Sequence, residues 1–153
     1  MTNKMEVAET WYRRVWKEQD ESAIDELFVP RGSAKGLGSY ERLGPEEFAD
    51  HEIIGPDGFK DFHRAMMNLV TDTEINVTMT MEKDDWLAQL CVFKGIRKDT
   101  GEAVQMTGTV FAKIIDGKIV EAYNHFDFLS FFEQLGSLAP DTFAFCLSGN
   151  GDC

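Results

Sequence analysis

The spacing of apolar residues changes once along the chain, near residue 73. Before that point apolar side chains recur every three to four positions, which is the period of a helix buried on one face. Val7, Trp11 and Val15 follow this spacing and predict a first helix over residues 5–17. After residue 73 apolar and polar residues alternate, as in a half-buried strand. The chain is therefore expected to place helices first and a sheet second.

Two more helices are predicted in the first half. Ile24, Leu27 and Phe28 indicate a short second helix, which ends at Pro30 because proline cannot continue it. Residues 31–44 contain several glycines and are expected to form a flexible loop.

The third predicted helix opens at Gly55 and Pro56, where proline suits the first helical turn. Phe59 and Met66 fall on its inward face, and His63 falls on the same side. A histidine in such a position more often bonds a main-chain carbonyl at the edge of a core than takes part in catalysis.

Strands are predicted over residues 73–82, 86–97 and 104–115, and the Asp116-Gly117 pair indicates a tight hairpin into a last strand. A final helix follows. This order predicts an α+β domain in which a cone-shaped, curved antiparallel sheet wraps around the N-terminal helices. A cavity is expected between the first helix and the sheet.

Residues 117–136, GKIVEAYNHFDFLSFFEQLG, include the side chains best suited to chemistry. On the alternating strand Tyr123, His125 and Asp127 project to one face, and Asn124 projects to the other with apolar neighbours. A phenol, an imidazole and a carboxylate on one face of an otherwise apolar segment predict a ligand pocket.

Alternative roles stay open for these residues. Asp127 precedes an apolar helix, so it is the N-cap of that helix, a general acid/base, or both. The simpler interpretation of His125 is structural. The pair His125-x-Asp127 also matches half of an iron site, but His63 or His51 would have to be the third ligand, without supporting spacing. We therefore expect no metal and no cofactor.

The charge of the chain narrows the classes of partner. Acidic residues number 27 against 15 basic ones, which gives a formal net charge of −12. This balance disfavours nucleic acid and anionic membrane surfaces. No apolar run approaches the ~18 residues of a membrane span, and the N-terminus lacks the apolar core of a signal peptide. A cytoplasmic location is expected.

Three phrases, GPDGFKDFHRAM, TGTVFAKIIDGKIVEAYNHFD and FLSFFEQLG, resemble the SnoaL-like polyketide cyclases. That family lies within the nuclear transport factor 2-like superfamily, also called cystatin-like, of cone-shaped α+β domains. The resemblance implies that Asp127 is the acid/base and Tyr123 the aromatic residue beside it, and that Tyr12 lines the pocket. Between residues 30 and 54 the chain departs from the family, because the glycine-rich loop replaces an expected strand.

The resemblance implies a cofactor-independent cyclase-like lyase or isomerase that acts on a small apolar or aromatic carbonyl compound by acid/base catalysis. Asp127, His125 and Tyr123 would be catalytic, and Tyr12, His63, Trp11 and Met66 would line the substrate pocket. The alternatives are a non-catalytic domain that binds a small ligand, a dimeric interaction module, and another enzyme of the same fold.

The chain is expected to be one domain over residues 1–136, with a tail over residues 137–153 that packs on the domain or on a partner subunit. Its apolar strands and tail predict a homodimer.

Overall fold

The structure is a computed structural model that describes residues 3–37 and 53–149. Helices and strands alternate in the first half, and a run of long strands follows. The helices are α1 (Lys4–Trp11), a π-helical segment (Tyr12–Lys17) that continues α1, α2 (Ser22–Leu27), α3 (Gly55–Leu69), α4 (Phe128–Gln134) and α5 (Thr142–Ser148). The strands are β1 (Phe28–Lys35), β2 (Ile53–Ile54), β3 (Val70–Lys83), β4 (Trp86–Arg97), β5 (Ala103–Ile115) and β6 (Lys118–Phe126).

These six strands form one curved, unclosed sheet in the order β2-β1-β6-β5-β4-β3. The four long strands from β3 to β6 are an antiparallel meander, whereas β1 lies parallel to β6. The helices α1 and α3 pack with the π-helical segment over the inner face of the sheet. The predicted α+β fold, the meander and its hairpins are confirmed.

The predicted end of the second helix is wrong. The helix ends at Leu27, and residues from Phe28 to Lys35 form strand β1 where the sequence indicated the end of a helix and a loop. Pro30 is tolerated because the pairing between β1 and β6 is irregular from Phe28 to Ser33, so no regular ladder bond needs its missing N–H. The parallel partner β6 is about ninety residues away in sequence, so the local propensity of residues 28–35 does not predict that they form a strand. The rest of the predicted loop, from residue 38 onward, lies outside the described residues.

The first helix also differs from the prediction of one regular helix. It is α-helical only as far as Trp11 and continues as a π-helix to Lys17. Two carbonyls in this segment accept side-chain hydrogen bonds: Val15 O from His63 Nε2 at 2.8 Å, and Trp16 O from the Thr73 hydroxyl. These donors satisfy carbonyl groups in the wider turn.

Aromatic rings fill the space between the helices and the sheet. Trp11 contacts Phe59 edge-on at 4.9 Å between ring centroids, and Trp16 contacts Phe93 of β4 in the same way at 5.5 Å. All four side chains are buried. Edge-to-face pairs of this kind add about 0.5–1.5 kcal/mol each beyond area burial, so they fix how the helices sit on the sheet.

Candidate functional site

A cavity lies between the helices and the inner face of the sheet. The space open to the centre of a water molecule inside it is about 70 Å³, several times the ~10–15 Å³ that a single water needs. Most of its wall is aliphatic or aromatic, and none of the described residues that line it carries a formal charge. Principal wall residues are Trp11, Tyr12, Trp16, Phe28, Phe59, Phe62, Met66, Leu87, Gln89, Phe93, Val110, Ala112, Ala122, Asn124, Phe126 and Phe128.

One side of the wall carries a polar chain that is buried at Tyr12 and Gln89 and half-buried at Thr80. The Tyr12 hydroxyl donates to Gln89 Oε1 at 2.7 Å, and Gln89 Nε2 donates to Thr80 Oγ1 at 3.1 Å. Gln89 is 4% exposed. It belongs to the inward row Leu87, Gln89, Phe93 of strand β4, which alternates with outward residues.

The phenol of Tyr12 is held in its neutral form. Burial is the main cause that raises its pKa well above the ordinary value of 10.0, and the neighbouring Cys91 thiol raises it further. Cys91 Sγ lies 3.9 Å from the Tyr12 oxygen. Burial raises the pKa of the Cys91 thiol as well. Near neutral pH the group at this point of the wall is therefore an uncharged hydroxyl.

Strand β6 presents Ala122, Asn124 and Phe126 to the cavity. The Asn124 amide Nδ2 donates to the main-chain carbonyl of Lys35 in β1 at 3.0 Å, which ties the two parallel strands together. The polar group that β6 contributes to the cavity wall is therefore the neutral amide of Asn124.

Tyr123 and His125 lie on the outer face of the sheet, and the expected projection of these side chains into the pocket is wrong. Tyr123 pairs across the sheet with Phe111, and its hydroxyl donates to Glu121 Oε1 at 2.6 Å. The Lys35 ammonium lies 5.6 Å from the centre of the tyrosine ring. The alternation along β6 is as predicted, but the N-terminal helices cover the face that bears Asn124, so that face became the inner one.

Asp127 is the N-cap of α4, as one of its two predicted roles requires. Its Oδ1 accepts from the Ser130 N–H at 3.1 Å, and the side chain is exposed. It does not line the cavity, although its neighbours Phe126 and Phe128 do.

His63 is buried behind the wall and is not part of it. Its Nε2 bonds the Val15 carbonyl, its ring packs edge-on against Trp16 at 5.0 Å between centroids, and Nδ1 has no partner among the described residues. Burial lowers its pKa. The simpler prediction, a histidine that bonds a carbonyl in the core, is confirmed.

Of the four residues predicted for the pocket, three line the cavity and one does not. Trp11, Tyr12 and Met66 line the cavity, and His63 supports the π-helical segment from behind. His63 and His125 lie on opposite sides of the sheet, and no group of three potential metal ligands occurs within residues 3–37 and 53–149. His51 lies outside the described residues.

Sequence reasoning missed Gln89 and gave Asn124 no role. The signal for Gln89 was present, because a polar amide stands in a row of otherwise apolar inward positions on β4. A buried amide in such a row needs hydrogen-bond partners and marks a polar spot in the core.

The fold and the cavity define a class: an α+β cone of the nuclear transport factor 2-like, or ketosteroid isomerase-like, type with an apolar cavity between the helices and the sheet. The chain belongs to the SnoaL-like polyketide cyclase family, whose family model matches residues 6–135. A comparison with curated proteins finds no match. The resemblance noted in the sequence is confirmed.

Solved structures show the same fold at low sequence identity. IdmH of Streptomyces antibioticus, described as a candidate polyketide cyclase, is 20% identical with a TM-score of 0.71, over 88% of this chain and 99% of its own. A candidate polyketide cyclase of Bacillus cereus is 19% identical with a TM-score of 0.70, over 88% and 80%. A protein of Catenulispora acidiphila with a ketosteroid isomerase-like fold, solved with trimethylamine, is 14% identical with a TM-score of 0.70, over 91% and 100%.

Within the described part of the chain, no helix is long and apolar enough to cross a membrane. The cytoplasmic location stays a prediction.

Proposed function

We propose that this protein binds a small, largely apolar carbonyl compound inside the cone. The observation that carries the proposal is the contrast within the cavity wall, which is apolar except at Tyr12, Gln89 and Asn124. Apolar surface removed from water favours binding by about 25 cal/mol per Å². A few fixed polar groups then orient the ligand, as is usual in small-molecule sites.

The wall supports hydrogen bonding to a carbonyl better than it supports proton abstraction. An amide such as that of Asn124 donates and accepts hydrogen bonds but is neither a general acid nor a general base near neutral pH. Tyr12 has a raised pKa, so it stays a neutral hydroxyl that can donate to a carbonyl oxygen or to a developing enolate. For this reason ligand binding is the first function that we propose, and acid/base turnover is the second.

The test is direct binding of a probe to the purified protein. Trp11 and Trp16 line the cavity, so 2-acetylnaphthalene bound there should quench their fluorescence. Ala112→Met extends a side chain into the cavity and should weaken binding about tenfold or more, because the probe and the new side chain compete for one space. Thr100→Met is the matched control, since Thr100 is exposed in the turn between β4 and β5, outside the cavity and the outer-face rows.

Absence of saturable quenching in the native protein, or equal affinity in the Ala112→Met variant, would contradict this proposal. Mass spectrometry of an organic extract of the purified protein provides a second test, because a resident apolar ligand should appear in it.

A second candidate is the family reaction itself, cyclisation or isomerisation with Asp127 as the acid/base. Family membership favours it, and so does the position of Asp127 between two residues that line the cavity. Tyr123 and His125 lie on the outer face of the sheet and do not line the cavity, so this candidate rests on Asp127 alone. In an intramolecular aldol step, Asp127 would take a proton from a carbon flanked by carbonyls and return one to the oxygen of the attacked carbonyl.

Asp127→Asn separates the two roles of this residue. Asparagine caps helices about as well as aspartate, so the free energy of unfolding should fall by less than ~1 kcal/mol. If Asp127 is the acid/base, turnover of aromatic poly-β-keto esters should fall by roughly a hundredfold or more. Asp127→Ala is the companion variant, because it removes both cap and proton carrier. Full turnover by the asparagine variant would exclude the acid/base role.

We also propose that the protein is a homodimer that pairs through the outer face of the sheet. Met81, Ala88, Phe111 and Tyr123 form one row across four adjacent strands. In the next row Met79 and Leu90 are 53% and 44% exposed. A contiguous exposed apolar surface of this kind is typical of an interface.

A further inference from the structure

The polar chain of Tyr12, Gln89 and Thr80 runs across two strands to the first turn of the π-helical segment. Gln89 is its middle member, with Tyr12 on one side and Thr80 of β3 on the other. Both partners are hydroxyls, and a hydroxyl can either donate or accept. The middle member is an amide, whose oxygen and nitrogen ends have nearly the same shape.

The same positions of the heavier atoms therefore satisfy two opposite directions of hydrogen bonding. In the first, Tyr12 donates to Gln89 Oε1 and Gln89 Nε2 donates to Thr80. If the amide turns over, Thr80 donates to Oε1 and Nε2 donates to the Tyr12 oxygen. The buried amide keeps both bonds in either direction. The difference lies in Tyr12, whose proton is used by Gln89 in the first direction and is free in the second.

The burial of the site makes this difference matter. Tyr12 is 9% exposed and lines the cavity, and its other hydrogen-bonding neighbour is Cys91 Sγ at 3.9 Å, a weak acceptor. A free hydroxyl proton would therefore bond best to an acceptor inside the cavity. An empty cavity favours the first direction, in which Gln89 accepts that proton. A ligand with a carbonyl oxygen beside Tyr12 favours the second, because the ligand becomes the acceptor.

Resting on the ligand binding proposed above, we infer that Gln89 and Thr80 are positioning residues that reverse their hydrogen bonds when a carbonyl ligand binds. The reversal makes Tyr12 the donor to the ligand oxygen. The ligand class selected is a ketone, an ester or an enolate on an apolar skeleton, and an isosteric hydrocarbon is discriminated against. Donation from Thr80 through Gln89 polarises the Tyr12 hydroxyl, and each such bond in a chain adds roughly 10–30% to the next.

The first measurement compares two probes of equal shape. 2-Acetylnaphthalene has a carbonyl oxygen where 2-isopropenylnaphthalene has a methylene group, and both substituents are planar. The native protein should prefer the acetyl probe by about tenfold in Kd, as one buried hydrogen bond allows. Tyr12→Phe should abolish this preference, so that the variant binds the two probes equally well.

The second measurement is the stretching frequency of a ¹³C-labelled probe carbonyl in infrared difference spectra. A hydrogen bond to the oxygen lowers this frequency. Thr80→Val should raise the frequency part of the way towards its value in a hydrocarbon solvent. Valine cannot donate to Gln89, so the hydrogen bond from Tyr12 to the probe oxygen becomes weaker. Thr100→Val, in the exposed turn between β4 and β5, is the matched control and should leave the frequency unchanged. A purely structural role for the chain would not move it.

Gln89→Glu tests the direction of the bonds. A protonated carboxyl group can accept from Thr80 and donate to Tyr12, whereas an ionised one only accepts and holds the Tyr12 proton away from the ligand. The acetyl preference of this variant should therefore disappear as the pH rises and the new carboxyl group ionises. The preference of the native protein should be unchanged over the same range.

The possible failures are distinguishable. If neither probe binds, the proposed function and this inference both fall. If both probes bind equally well, or if the Thr80 and Gln89 variants keep the native frequency and preference, binding stands and the reversal is excluded. If Gln89→Glu does not fold, the Tyr12 and Thr80 variants decide the result.

Discussion

His63 shows how one buried side chain supports the cavity wall without lining the cavity. Its Nε2 bonds the carbonyl of Val15 within the π-helical segment that carries Tyr12 and Trp16. The sequence predicted this kind of contact, since a histidine among apolar helix positions needs a polar partner. It did not predict the partner, because Val15 is 48 residues away and the π-turn has no clear sequence signal.

The pH dependence of stability should report on His63. Burial lowers its pKa below the ordinary 6.5, the bond to Val15 and the charge of Glu21 partly oppose this, and Arg64 adds to it. In the unfolded chain the ring gains a proton below about pH 6.5, while in the folded protein it stays neutral to a lower pH. Its contribution to stability is thus complete above pH 6.5 and is lost as the pH falls towards the folded-state pKa.

His63→Gln checks this with urea unfolding at several pH values. Glutamine keeps a donor for the Val15 carbonyl but does not titrate, so the loss of unfolding free energy below pH 6.5 should become smaller than in the native protein. The free energy of unfolding of the variant should also be about 0.5–1.5 kcal/mol lower at neutral pH, because the ring contact with Trp16 is lost. His125→Gln, at an exposed position, is the control. An unchanged pH profile in the His63 variant would refute this assignment.

Among the secondary-structure elements, the entry to α3 depends on one glycine. Gly55 has φ of +68°, and an added Cβ would lie 2.3 Å from the carbonyl oxygen of Pro30 in β1. Glycine is needed here both for its backbone conformation and for the close approach of α3 to β1. The sequence predicted the helix start from the Gly-Pro pair but not the strand that it touches.

Gly55→Ala should therefore destabilise the protein more than Gly101→Ala. Gly101 has φ of +78° with nothing within 4 Å of an added Cβ, so its cost is backbone strain alone, about 1–2 kcal/mol. Gly55→Ala adds steric overlap to the same strain and should cost a further ~1–3 kcal/mol. Urea unfolding of both variants measures the difference, and equal losses would show that the contact with Pro30 relaxes freely.

For the whole molecule, the proposed homodimer depends on the outer face of the sheet. Met81 is 67% exposed and stands at the end of the row that continues through Ala88 and Phe111 to Tyr123. Met81→Glu places a charge in the proposed interface, where it would be desolvated without a partner. Light scattering should show a dimer for the native protein and a monomer for the variant.

Met5→Glu is the matched control for this experiment. Met5 is an exposed apolar residue on α1, away from the outer face, and its replacement should leave the dimer intact. A native protein that has the monomer mass across a wide concentration range would refute the dimer.

The sequence alone determined the long elements and their order. The change of hydrophobic period gave the helices and the meander, and the Asp116-Gly117 pair gave the last hairpin, because both signals act over a few neighbouring residues. The capping role of Asp127 and the alternation of side chains along β6 are also local, and the structure shows both.

Only the tertiary structure decided which face of β6 is the inner one. Alternation assigns Tyr123 and His125 to one side and Asn124 to the other, but it contains no information about which side the helices cover. The packing of α1 and α3 buried the Asn124 face and put Gln89 beside Tyr12. Strand β1 likewise depends on its parallel partner β6, far away in the chain. The cavity and its polar chain arise from contacts between segments that are distant in the chain, and the sequence of one segment alone does not predict such contacts.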